Sequence, residues 1–195
     1  MTYNLLFAGV GGQGVVLASE VLALVAASEG YDVKQGEVHG AAQRGGAVVS
    51  HIRFGERVYS PLNLRGQVDV MVAFEKLEAV RHAHYLKQGG VLIVNDHRIE
   101  PTYLNNQVKY PDDPIGFLKA KPFQVLVLNA TETARALSNE RVSSLVMLGA
   151  ASKFIPLRSE SWDRVLTERI PARFLELNRR AFAEGEKQVA SGRLA

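Results

Sequence analysis

Three glycines near the N-terminus, Gly9, Gly11 and Gly14, stand in the spacing G-x-G-x-x-G within Phe7-Ala8-Gly9-Val10-Gly11-Gly12-Gln13-Gly14-Val15-Val16. An apolar run, Leu5 to Ala8, leads into them, and a helix-periodic segment from about Gln13 to Ala27 leads out. That order predicts a strand, a tight turn and a helix. Glycines so placed let the chain reverse, bring backbone N–H groups against an anion, and let the helix settle closely on the strand. The expected fold class is therefore α/β: a Rossmann-like, mostly parallel sheet flanked by helices. Gly9, Gly11, Gly12, Gln13 and Gly14 form the first candidate site, a loop for an anion or a phosphate-bearing ligand.

The rest of the chain extends this pattern. Gly30 is placed to stop the first helix, and Tyr31 to Gln35 reads as a second, parallel strand completing a βαβ unit. A dinucleotide site would need an acid after that strand. Glu37 is near the position but stands inside a loop-like stretch, Gly36 to Gly40. Ala47 to Phe54 is strongly β-forming, and with Gly55-Glu56 and Arg57 to Ser60 it predicts a β-hairpin addition. Val68 to Phe74 is a continuous apolar run suited to a central strand. A helix over Glu75 to Gln88, stopped by Gly89-Gly90, and a strand over Val91 to Asn95 follow. Arg98 to Lys121 is irregular, with a short strand candidate at Gln107 to Tyr110 and a short helix near Ile115 to Ala120. Phe123 to Leu128 is the last expected strand. The helical C-terminus is expected as Asn129 to Leu137 with Thr131 as cap, Glu140 to Phe154 capped by Asn139, Ser161 to Thr167, and Ala172 to Val189 behind Pro171.

Composition narrows the function classes. At 195 residues, one domain spanning positions 1–195 is expected. No apolar run approaches the roughly 20 residues of a membrane span. Met1 to Asn4 pass into the first strand without a basic segment, so the expectation is a cytoplasmic chain with no membrane partner. The formal charge of +3 is scattered rather than gathered in a stripe, which argues against nucleic acid. With no cysteine there is no thiolate to bind an iron–sulfur cluster or act as a nucleophile. His82 and His84, two residues apart on a helix, cannot form an i, i+4 metal pair, and no metal site is expected.

The second candidate site is the small-residue loop Glu37-Val38-His39-Gly40-Ala41-Ala42-Gln43-Arg44-Gly45-Gly46. His39, Gln43 and Arg44 display an imidazole, a carboxamide and a guanidinium among residues too small to fill a core, as functional loops do. His51, on a strand, reads as a structural histidine. No nucleophile elbow, zinc-helix motif, P-loop lysine or paired carboxylates accompany these loops. The residues alone leave open a free-standing NAD(P)- or flavin-binding reductase and a non-enzymatic nucleotide-sensing module. A scaffold lacking its own catalytic equipment also suits a subunit of a larger assembly.

The segments Gly9 to Gly14, Glu37 to Gly46, Val49 to Arg53 with Tyr59-Ser60-Pro61, Asp69 to Leu77, and Asn178 to Phe182 together resemble the small, gamma-type subunit of 2-oxoacid:ferredoxin oxidoreductases. The indolepyruvate branch, whose small subunit is called beta, is the most similar. The resemblance covers almost the whole chain. It implies oxidative decarboxylation of a 2-oxoacid, indolepyruvate or another aryl or branched one, with coenzyme A as co-substrate, giving acyl-CoA and reduced ferredoxin. Thiamine diphosphate, Mg and the iron–sulfur clusters would then sit in a large partner subunit of a hetero-oligomer. In that setting His39, Gln43 and Arg44 are candidates to reach the partner's active site, and the Gly9–Gly14 loop to receive coenzyme A.

Overall fold

The computed structural model describes residues 2–40, 46–100 and 109–190. The described residues form one six-stranded sheet between two layers of helix. Strand β1 (Thr2–Val10) leads to helix α1 (Val15–Ser28), then β2 (Asp32–His39), β3 (Ala47–Gly55) and β4 (Val68–Ala73). Helix α2 (Lys76–His82) and a 3-10 turn at Ala83–Tyr85 precede β5 (Leu86–Asn95). Helix α3 (Pro114–Lys119), β6 (Gln124–Leu128), α4 (Ala130–Ala136), α5 (Ser143–Ser152), α6 (Ser159–Arg169) and α7 (Ala172–Ala190) complete it. Spatially the strands run β2-β3-β1-β4-β5-β6, with β1, β4, β5 and β6 parallel.

Each central strand is apolar on both faces, and alternate residues supply two cores. Leu5, Phe7, Val70, Val72 and Ile93 point to the layer of α1, α5, α6 and α7. Leu6, Ala8, Met71, Ala73, Leu92 and Val94 point to α2 and α3. A parallel sheet covered on both sides requires this continuous apolar composition. Helix α5 is buried from Ser144 to Ala151 because it lies between the sheet and α7, so its apolar residues run all round. Its approach to α7 rests on Gly149 and Gly185. A Cβ on Gly149 would lie 2.0 Å from the Phe182 carbonyl oxygen, and one on Gly185 would lie 1.9 Å from that of Val146.

Several expectations are corrected by these elements. Strand β2 runs parallel to β1 in direction but does not pair with it. It pairs antiparallel with β3, which inserts antiparallel beside β1. The hairpin is thus β2–β3, and Arg57 to Ser60 is not a strand. Residues 56–66 instead cross the hairpin face that no helix covers. Gly89 and Gly90 lie within β5 rather than ending a helix: α2 stops at His82, and Gly89 takes φ 74° where the β4–β5 register shifts. Asn129, not Thr131, precedes α4, since Thr131 lies inside the helix and bonds Asn95. Asn139 caps a 3-10 turn at Glu140–Val142 that runs into α5. The strand candidate Gln107 to Tyr110 falls largely outside the described residues.

Candidate functional site

In the order above, β1 and β4 are adjacent and parallel, yet α1 packs on one face of the sheet and α2 on the other. The crevice outside their C-terminal ends is the switch point where open α/β sheets take ligands. The glycine loop lies there. Gly9 is the penultimate residue of β1, and a Cβ on it would sit 2.7 Å from a Val15 methyl and 3.0 Å from the Phe74 side chain. Gly14 precedes α1 with φ 77°, and its missing Cβ would sit 2.8 Å from Ser144 Oγ on α5. The first and third glycines therefore serve backbone packing and the turn. Ser144 Oγ is buried against the loop without a hydrogen-bond partner among the described residues.

Gln13 closes the crevice from within. Its Oε1 accepts the Val10 N–H at 2.8 Å, and its Nε2 donates to the Phe74 carbonyl at 3.0 Å. One carboxamide thus joins the ends of β1 and β4 at the switch point, where a dinucleotide site would lie. The acid of such a site is also misplaced. Glu37 stands on the hairpin strand β2, two strands away from β1, and its Oε2 lies 3.0 Å from His39 Nε2.

His39 ends β2 on the sheet face that carries α1, and its side chain is 56% exposed. Behind it, Gln35 donates to Ser19 Oγ at 3.0 Å, and Ser19 Oγ lies 3.1 Å from Ser50 Oγ, so a polar row runs from the hairpin to α1. Gln43 and Arg44 lie outside the described residues. The two candidate loops nevertheless meet: the Gly11 N–H donates to the Gly46 carbonyl at 2.9 Å, and the Gly40 N–H to the Ala47 carbonyl at 2.8 Å. The sequence pattern placed both loops but not this junction, which depends on β3 pairing with β1.

The sequence reading also missed Glu75, which follows Phe74 and is buried. Its Oε2 accepts the N–H groups of Leu77 and Glu78, capping α2, while Oε1 accepts from the Ile99 N–H and the Tyr110 hydroxyl. Burial first, then the adjacent Glu75 carboxylate, push the Tyr110 phenol well above its usual pKa. An acid directly after a buried apolar strand and before a helix was the available signal. Four donors on one carboxylate make this a structural clamp on the β4 end of the crevice. Among the described residues no group of His, Cys, Asp and Glu could hold a metal ion.

A family model described as pyruvate ferredoxin/flavodoxin oxidoreductase matches residues 4–188. The chain belongs to this family. It is 35% identical over 191 residues to indolepyruvate oxidoreductase subunit IorB of Thermococcus kodakarensis, covering 95% of each chain. Among solved structures it is similar to the gamma subunit of a keto/oxoacid ferredoxin oxidoreductase from Geobacter sulfurreducens, with TM-score 0.76, 27% identity, and coverage of 97% and 99%. The same fold recurs, at 19% identity and TM-score 0.76, within 32% of a longer chain of a Magnetococcus marinus 2-oxoglutarate:ferredoxin oxidoreductase. Membership makes this chain a subunit of a 2-oxoacid:ferredoxin oxidoreductase, and the free-standing reductase and the nucleotide-sensing module give way to that assignment. No described helix is long and apolar enough to cross a membrane.

Proposed function

We propose that this chain completes the active-site assembly of a hetero-oligomeric, thiamine diphosphate-dependent oxidoreductase that converts indolepyruvate or another aryl or branched 2-oxoacid to its acyl-CoA and reduces ferredoxin. The observation that carries the reading is the Gly11–Gly46 hydrogen bond, which fixes the root of the His39–Gly46 loop against the glycine loop. One group of side chains can then face the 2-oxoacid while the neighbouring backbone faces coenzyme A.

In this reading Arg44 meets the substrate carboxylate with its planar donor fork, and Gln43 adds a neutral hydrogen-bonding group. His39 is held at Nε2 by Glu37, leaving Nδ1 as the ring atom that meets a ligand. Gly9, Gly11, Gly12, Gln13 and Gly14 form the lip that receives a coenzyme A phosphate. Gln13 holds the strand ends while Gly12 offers exposed backbone. Thiamine diphosphate with Mg supplies the decarboxylation chemistry, and iron–sulfur clusters carry the electrons. The clusters belong to the large partner subunit, because a chain without cysteine has no thiolates for them, and this reading assigns thiamine diphosphate and Mg to the same subunit.

Reconstitution with the large subunit tests each part through 2-oxoacid- and CoA-dependent ferredoxin reduction. Arg44→Ala is expected to lower kcat/KM for the 2-oxoacid at least about tenfold, the scale of a lost charge-assisted contact. Unchanged turnover removes Arg44 from the site. Gly12→Asp, which places a negative charge on the lip, is expected to raise the KM for coenzyme A relative to Gly12→Asn, which shares its backbone strain at φ 97°. Faster turnover of pyruvate than of indolepyruvate would overturn the substrate assignment.

A further inference from the structure

The strap at residues 56–66 lies across the β2–β3 hairpin on the face opposite α1, and it is held firmly. Arg53 Nε donates to Asn4 Oδ1 at 2.9 Å, and its guanidinium reaches the Ser60 carbonyl at 3.0 Å. Asn63, itself buried, donates through Nδ2 to the Leu5 carbonyl at 2.6 Å and through its backbone N–H to His51 Nδ1 at 3.2 Å. Val58 is buried, and its N–H donates to Asp32 Oδ2 at 2.8 Å. Pro61 packs on Gly36, where a Cβ would come within 3.2 Å of the proline ring.

Val58 and Pro61 turn inward on this strap, yet three larger apolar side chains turn out. Tyr59 is 81% exposed, Leu62 53% and Leu64 74%, and Val38, on the same hairpin face, is 52% exposed. Anchored backbone carrying outward apolar residues on one face marks a surface covered by another protein. Arg57, whose guanidinium lies 5.2 Å over the Tyr59 ring, and the exposed Arg65 outnumber the one exposed acid of the strap, Glu56, so the rim is net basic. Val38 and His39 are neighbours on β2 whose side chains leave opposite faces, so the patch reaches the root of the candidate loop from the side away from α1.

We infer that the face formed by Tyr59, Leu62, Leu64 and Val38 is where the large, thiamine diphosphate-bearing subunit docks, through an apolar centre bordered by acidic side chains. This rests on the proposed function and adds the place of contact. Anchored aromatic and aliphatic residues at the centre of an interface carry most of its affinity, and a basic rim makes association salt-sensitive.

Co-expression of the tagged chain with its large subunit, followed by affinity measurement on the purified components, tests the docking face. Leu62→Asp/Leu64→Asp is expected to fold like the wild type, since both side chains already face solvent, and to bind at least about tenfold more weakly. Leu24→Asp, on the exposed face of α1, serves as the control and is expected to bind normally. Wild-type binding with an unchanged Leu62→Asp/Leu64→Asp affinity overturns the docking face and leaves the proposed function standing. Failure of the wild-type chain to bind the large subunit overturns the proposed function itself. A wild-type homodimer that Leu62→Asp/Leu64→Asp converts to a monomer assigns the face to a second copy and overturns the inference.

Discussion

At the residue scale a single carboxamide, Gln13, ties the end of β1 to the end of β4. It satisfies the Val10 N–H on one strand and the Phe74 carbonyl on the next, 61 residues away. Each bond contributes about 0.5–1.5 kcal/mol net, so Gln13→Ala should lower unfolding stability by about 1–3 kcal/mol. A urea titration reads this as a shift of midpoint with little change in slope. Gln13→Glu separates the two bonds. A carboxylate still accepts from Val10 but has no hydrogen to donate to Phe74, and it sets two oxygens against each other. It should be at least as destabilising as Gln13→Ala, and wild-type stability in Gln13→Glu would show that the Phe74 contact contributes nothing. The sequence displayed Gln13 as a member of a glycine loop, and so as a residue for a ligand. Its internal role was hidden because the partner carbonyl is close only once β1 and β4 pair.

At the scale of elements, the strands and helices with strong periodicity were legible, and their neighbours in space were not. The β-forming composition of β3 and the apolar runs of β4 and β5 identified them as strands. Nothing local in Ala47 to Gly55 states that it inserts antiparallel between β1 and β2, because that choice is made by long-range pairing. Lys87 to Gly90 was misread for a related reason. Paired glycines commonly end helices, but here they carry β5 past a register shift beside β4. The α5–α7 contact was equally invisible, since Gly149 and Gly185 look like ordinary helix-weakening residues in isolation. In the fold they let two helices touch backbone to backbone. Gly185→Ala should raise local helix propensity yet destabilise the protein by about 1–3 kcal/mol, because its methyl meets the Val146 carbonyl and not a yielding side chain. Calorimetry should show a thermal midpoint lower by several degrees, at roughly 2–4 °C per kcal/mol. A midpoint equal to or above wild type would mean that α7 can shift outward at no cost.

For the whole molecule, the acid limb of stability reports whether the strap at residues 56–66 and the sheet behave as one unit. His51 is buried in β3, accepts the Asn63 N–H at Nδ1, and meets the Tyr85 ring edge-on at 5.4 Å. Burial first, then the nearby His82, hold its pKa below the ordinary histidine value. The sign follows from proton counting. Between the ordinary value near 6.5 and the lower folded value, the unfolded chain binds a proton that the native chain refuses, so stability falls as pH drops through that window. Asp32, whose carboxyl is held low chiefly by Lys34 and the Val58 N–H, acts in a separate and more acidic window, below the usual carboxylate range. Protonating His51 also removes the lone pair that receives Asn63, so the loss should be felt along residues 56–66. Hydrogen exchange of the Asn63 amide at pH 7 and pH 5.5 measures this directly, with faster opening expected at the lower pH. His51→Gln, which retains a hydrogen-bonding side chain without the titration, should be less stable at neutral pH yet flatter across the same interval. Equal pH slopes for His51→Gln and wild type would place the acid sensitivity elsewhere. Equal Asn63 exchange at both pH values, after correction for intrinsic rates, would show that the strap keeps its place without the His51 lone pair.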